Sequence, residues 1–277
     1  MTRFTRTSTE HALSPYSIHT LRDALSIRAK EVISLVGAGG KTTLMFALAR
    51  ELEKGKGVVI TTTTTKIFPP SSIDAPYVFT SGDRAEIIDF ILENGTDLGH
   101  INLASGKSKA TGKLLGIEPA LVQEIIGLDP VRHIIVEADG AARKPLKAPN
   151  HAYEPVIPPC TSLVIPVIGI EALGQALTEE HVFRSEIAAE LTGLSMGEAI
   201  SAEAIATLIV HPFGIIRGSP GRARAVPFIN KVDLHADLSK AREIAIKVLE
   251  AHHAQIDRVV LGQAQLKPPV REVIFKG

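Results

Sequence analysis

The stretch EVISLVGAGGKTTLMFALARELEKG, Glu31 to Gly55, constrains the fold more than any other part of the chain. An apolar, β-branched run reads as a buried strand. It passes through glycines into Lys41 and a segment with apolar residues at helical spacing, closed by Gly55. A strand that turns directly into a helix is the building unit of a parallel sheet covered by helices. The glycines let backbone N–H groups converge on an anion, and the helix N-terminus adds partial positive charge.

The same alternation continues. GVVITT, HINL (His100–Leu103), HIIVEAD (His133–Asp139), SLVIPVIGI (Ser162–Ile170), AVPFIN (Ala225–Asn230) and RVVLG read as strands. RAEIIDFILENG and DLSKAREIAIKVLEAHH read as helices between them. The expected fold is α/β: a P-loop NTPase-like three-layer αβα sandwich with a mostly parallel sheet. One nucleotide-binding domain is expected over 30–277, after an N-terminal segment, 1–29. Two stretches break the pattern and read as loops: Gly140–Pro159, with five prolines, and His211–Arg224.

Lys+Arg and Asp+Glu both total 30, which disfavours a dedicated nucleic-acid binder. The single cysteine, Cys160, cannot form an internal disulfide and fits a reducing compartment. No signal peptide is read at the N-terminus, and the longest apolar runs are too short to span a bilayer. The expectation is a cytoplasmic protein with neither nucleic acid nor membrane as partner.

Gly37, Ala38, Gly39, Gly40, Lys41, Thr42 and Thr43 are the expected phosphate-binding residues. Lys41 would reach the β- and γ-phosphates of a nucleoside triphosphate, and the Thr42 hydroxyl would meet Mg²⁺. The G-x-x-x-x-G-K-[ST] pattern asks for glycine where the chain has Leu35, so the loop is the shorter G-x-x-G-K-T form, similar to that of Mur-ligase-type ATP-using enzymes. A dinucleotide loop would instead place G-x-G-x-x-G here and an acid at the end of the second strand, where this chain has threonines.

In HIIVEADG, strand alternation puts Glu137 and Asp139 on one side. Asp139 is the expected metal ligand; Glu137 is then available to orient a water or accept a proton. NKVD places Asn230, Lys231 and Asp233 at another strand end. There an aspartate can accept two hydrogen bonds from guanine N1–H and its 2-amino group, which favours GTP over ATP. In TTTTTKIF, Thr61 and Thr62 are expected to finish a strand, Thr64 to lie near the γ-phosphate or its metal, and Lys66 to add charge. The expected catalytic set is Lys41, Lys66, Glu137 and Asp139. Arg143, Lys144 and Lys147, like Lys107, Lys109 and Lys113, read equally as clamps for an anionic substrate or as solvated basic loops.

Taken in order, GAGGKTT, TTTTTKIF, VEADGAARKPLKAPNHAYEPVIP, HVFRSE, LIVHPFGIIRG and FINKVD resemble the YqeC family. The likeness runs from about Val32 to the C-terminal strand. It implies a P-loop NTPase that acts in maturation of a selenium-dependent molybdenum hydroxylase or its cofactor, with the client hydroxylase or a cofactor-synthesis protein as partner. The pattern departs at Phe183, where histidine is expected, and leaves Arg184 and Glu186 as candidates. Two other functions fit the residues: an ATP-dependent ligase or kinase for a small molecule, and a nucleotide-gated cofactor or metal chaperone.

Overall fold

The computed structural model describes residues 18–277. Most of the expected N-terminal segment, residues 1–17, lies outside them. Of the rest, Leu21–Ala24 forms one helical turn against the body of the protein, where the Glu51 carboxylate accepts the backbone N–H groups of Leu21 and Arg22.

The core is one large twisted sheet. Its main strands are β1 (Glu31–Gly37), β2 (Val58–Thr63), β3 (Val78–Thr80), β4 (His100–Ala104), β5 (Val131–Glu137), β6 (Leu163–Gly169), β7 (Phe228–Asn230), β8 (Arg258–Gly262) and β9 (Val270–Phe275). They lie in the order β9-β8-β7-β6-β1-β5-β2-β4-β3, and every neighbouring pair is parallel except β8–β9. β1 sits centrally and is buried along its whole length, so it reads as a continuous apolar run.

Alternation then sends its side chains into two cores. Ile33 and Leu35 pack with Leu44, Met45 and Leu48 of the helix α1 (Lys41–Leu52). Val32 and Val36 face the opposite core. There they join apolar residues of α2 (Arg84–Asn94), α3 (Pro119–Gly127), α5 (Ala202–Val210) and α6 (Ser239–Glu250). Burial of each such Val, Leu or Ile contributes about 1.5–3 kcal/mol. Helices on both faces of a mostly parallel sheet make the expected three-layer sandwich. Among the described residues no helix is long and apolar enough to cross a membrane.

Several features are not legible in the sequence. Helices α3, α4 (Ser185–Thr192) and α5 lie in stretches given no element, and β9 adds an antiparallel edge. The stretch expected as a loop over 140–159 carries a short strand, Leu146–Lys147, paired in parallel with Val182–Phe183. Beyond the strand ends, Lys66–Ile67, Leu114–Leu115 and Gly106–Lys107 form a small antiparallel flap.

The threonine run is stitched into this sheet. Thr61 Oγ1 meets His100 Nε2 at 2.8 Å, Thr62 donates to Leu103 O at 2.9 Å, and Thr63 donates to Glu137 O at 2.7 Å. The hydroxyls of Thr61–Thr63 thus tie β2 to both of its neighbours.

His100 is buried, and its Nδ1 has no hydrogen-bond partner among the described residues. Burial first, and the charge of Arg50 second, push its pKa from 6.5 down to about 4. A depressed folded-state value means that this group's contribution is complete above pH 6.5 and is lost as pH falls through about 4. The chain is expected to lose about 3 kcal/mol of stability from this histidine across that window. Urea midpoints measured at both ends of the window should show the loss, and His100→Gln should remove this share of it, leaving the part due to the similarly depressed His133.

Candidate functional site

The carboxyl ends of β1, β5, β6 and β7 converge on one rim, and the glycine loop lies at its centre. Gly39 and Gly40 have φ of +77° and +117°. A Cβ on Gly39 would overlap the Gly169 backbone, and one on Gly40 would sit 2.5 Å from Asn230 Nδ2. Only glycine fits either place. The loop is anchored from outside, since Ala38 N donates to Val167 O at 2.8 Å and Gly39 N to Lys144 O at 3.0 Å. The first amides of α1 follow immediately, and first-turn N–H groups have no partner inside their own helix.

Lys41 is almost wholly buried. Its Nζ donates to Gly37 O at 2.6 Å and lies 3.1 Å from Asp139 Oδ1 and 3.9 Å from Glu137 Oε1. The two carboxylates do face the same side, but they do different things. Thr42 Oγ1 donates to Glu137 Oε2 at 2.7 Å, and Glu137 lines the cleft in front of the loop. Burial raises the Glu137 pKa, partly offset by Lys41 and the Thr42 hydroxyl.

Asp139 does not line the cleft. It is 1% exposed, accepts from Gly37 N at 3.1 Å, and lies 3.0 Å from Lys147 Nζ. The acid beside the Thr42 hydroxyl is therefore Glu137, not the Asp139 favoured from sequence. The reason is local: β5 ends at Glu137, and the next turn swings Asp139 behind Lys41.

Thr64 also differs from expectation. Its hydroxyl is donated to Val156 O at 2.7 Å, and it does not line the cleft. Lys66, in the flap, does line it.

From sequence, Lys147 reads equally as a clamp for an anionic substrate or as part of a solvated basic loop. It is fully buried and donates to Gly140 O at 2.6 Å and to Glu154 Oε2 at 2.7 Å. Arg184 reaches the same Glu154 oxygen at 2.6 Å. Burial alone would raise the Glu154 pKa, but the Arg184 hydrogen bond and the two lysine interactions outweigh it and hold the group low. Arg184 and Lys147 thus form a chain of alternating charge behind the site, Lys41–Asp139–Lys147–Glu154–Arg184. Nothing in the sequence signals that Lys147 is buried, because the strand that carries it, Leu146–Lys147, is too short to show a pattern.

On the far side of the loop, Asn230 Nδ2 donates to Gly39 O at 2.9 Å while its Oδ1 accepts from Ala264 N at 3.0 Å. One side chain thus joins the glycine loop to the segment after β8. Lys231 pairs with Glu171. Asp233 is exposed on the rim of a smaller hollow of about 130 Å³ shared with Gln263 and Gln265, and no hydrogen bond or ion pair among the described residues occupies its carboxylate. A larger cleft of about 560 Å³ opens in front of Lys41, Thr42 and Glu137.

A P-loop NTPase-like three-layer sandwich, with the glycine loop at the carboxyl edge of a mostly parallel sheet, is the class that this fold defines. The model of the family described as YqeC protein matches residues 33–186. The chain is also 33% identical over 240 residues to the protein called Uncharacterized protein YqeC from Escherichia coli (strain K12), an alignment covering 86% of this chain and 90% of that protein. The chain belongs to the YqeC family.

Proposed function

We propose that the chain is an Mg²⁺-dependent P-loop nucleoside triphosphatase that uses GTP, and that it serves as an accessory factor in maturation of a selenium-dependent molybdenum hydroxylase or its cofactor. The observation that carries the nucleotide reading is the contact between Thr42 Oγ1 and Glu137 Oε2, 2.7 Å long, beside Lys41 at the mouth of the glycine loop. The maturation role rests on the family resemblance alone.

The donor set fits Mg²⁺. A hydroxyl and a carboxylate are hard oxygen ligands, and Mg²⁺ typically takes one or two carboxylates and leaves its other positions to water and phosphate. Thr42 and Glu137 would hold it. Bound there, it would supply charge neutralisation to the phosphate oxygens.

The protein's own residues do the rest. The first amides of α1 and the Lys41 ammonium bind the β- and γ-phosphate oxygens and stabilise charge that grows on them as the bond breaks. Water adds its oxygen to the γ-phosphorus and passes a proton to a γ-phosphate oxygen. The bond from that phosphorus to the β,γ-bridging oxygen breaks, and its electron pair leaves with the diphosphate. Asp139 positions Lys41 from behind and does not touch the phosphates.

Base choice falls to the smaller hollow. The Asp233 carboxylate is free to accept from the guanine N1–H and 2-amino groups, and Asn230 holds its loop in register with the phosphate site. Asp233→Asn is expected to weaken GTP binding by about 10- to 100-fold and to shift preference toward xanthosine triphosphate, because a lost pair of site-built hydrogen bonds costs on that order. Competition binding with GTP, ATP and xanthosine triphosphate checks it. If ATP binds wild type at least as well as GTP and the substitution changes nothing, the guanine assignment is lost.

A further inference from the structure

The larger cleft is more basic than a nucleotide requires. Its lining carries six Lys and Arg side chains, Lys41, Lys66, Lys113, Arg143, Lys144 and Lys231, against one carboxylate, Glu137. Three of these cations are already engaged. Lys41 is held by Asp139, Lys231 by Glu171, and Lys144 donates to Glu180 O at 3.0 Å. Lys66, Lys113 and Arg143 have no carboxylate partner within ion-pair distance among the described residues.

These three are gathered by structure rather than scattered. Lys66 opens one strand of the flap, and Lys113 immediately precedes its antiparallel partner, Leu114–Leu115. Phe68, two residues after Lys66, is 51% exposed. Lys113 Nζ lies 4.6 Å from that ring's centroid, and the Arg143 guanidinium 4.9 Å. The ring therefore draws together two like charges that would otherwise repel. Arg143 is presented by two successive non-glycine residues with positive φ, Ala142 at 46° and Arg143 itself at 62°. Such backbone is costly and persists where the surroundings fix it.

We propose that the flap side of this cleft, made by Lys66, Lys113, Arg143 and Phe68, is a second subsite that binds a small phosphate-bearing molecule beside the nucleotide. Arginine presents a fork that matches phosphate oxygens two at a time, and the paired lysines add charge without demanding one geometry. Phe68 offers an apolar face to the body of that molecule. The cleft thereby resembles a two-substrate site, with the nucleotide on the α1 side and the phosphorylated partner under the flap. The inference rests on the nucleotide reading only for what fills the other half.

Inorganic phosphate is the probe, added to the full chain and followed by its ³¹P line width with and without saturating Mg²⁺ and a non-hydrolysable GTP analogue. The expected result is phosphate binding that survives nucleotide saturation, weakens by about tenfold or more in the Lys113→Gln/Arg143→Gln double variant, and leaves nucleotide affinity within about twofold. Three results would overturn it: no phosphate binding, binding unchanged in the double variant, or nucleotide that displaces phosphate and itself binds the double variant much more weakly. The last would assign these cations to the triphosphate. If the nucleotide does not bind at all, the nucleotide reading fails. The subsite still stands or falls on whether the double variant loses phosphate. Both substituted side chains reach solvent at the cleft, and equal melting temperatures of variant and wild type establish that the fold is kept.

Discussion

Replacing Lys41 by alanine is expected to reduce nucleotide turnover by about 100- to 1,000-fold, the range seen when a single preorganised charge donor is removed from a site. Lys41 touches the glycine loop, through Gly37 O, and faces the cleft in front of Glu137. Without it, the γ-phosphate would meet Glu137 with no compensating charge. The fold should survive. Asp139 keeps Lys147 at 3.0 Å and Glu137 keeps the Thr42 hydroxyl at 2.7 Å, so neither carboxylate is stranded. A cost of about 1–3 kcal/mol is expected, typical of one lost buried hydrogen bond. Turnover measured beside a thermal melt separates the two effects. Turnover within a few-fold of wild type would remove Lys41 from the chemistry.

The largest loss of stability is expected from Lys147→Met. Lys147 is fully buried and satisfies three acceptors at once: Gly140 O, Glu154 and Asp139. Methionine fills similar volume but donates nothing, and breaking a buried charge network from one side costs about 3–5 kcal/mol; Lys41 and Arg184 stay beside Asp139 and Glu154, but both carboxylates and Gly140 O lose a buried donor at once. For a chain of this size that is roughly a 10 °C fall in melting temperature. The same substitution should also lower turnover, since Asp139 positions Lys41. A melt within about 2 °C of wild type would mean that Lys147 is not the keystone of the charge chain. Arg184→Ala, at the solvent end of that chain, should cost less, because water can replace it at Glu154.

How much of this was legible in the sequence follows from which interactions are local. The strand, glycine turn and helix around Lys41 are contiguous, so their pattern carries the parallel fold and the loop together. Alternation put Glu137 and Asp139 on one side, and both do border Lys41; NKVD was placed at a strand end, and Asn230 is the residue that closes β7. What stayed hidden depends on distant partners. Asp139 lies behind Lys41 because Lys147, from beyond the next turn, pulls it there. Thr64 is turned from the cleft by the carbonyl of Val156, far along the chain. The flap that brings Lys66 to Lys113 pairs strands from separate segments, which no periodicity reveals.

The most direct measurement is calorimetric titration of the full chain with GTP, with and without Mg²⁺, for wild type and Glu137→Gln. The account predicts one saturable site in wild type, tighter with Mg²⁺ than without by about tenfold or more, as expected when charge-assisted contacts are gained. In Glu137→Gln that gain should largely disappear while metal-free binding remains. Absence of GTP and ATP binding in wild type at millimolar nucleotide with Mg²⁺, in protein shown to be folded, would contradict it.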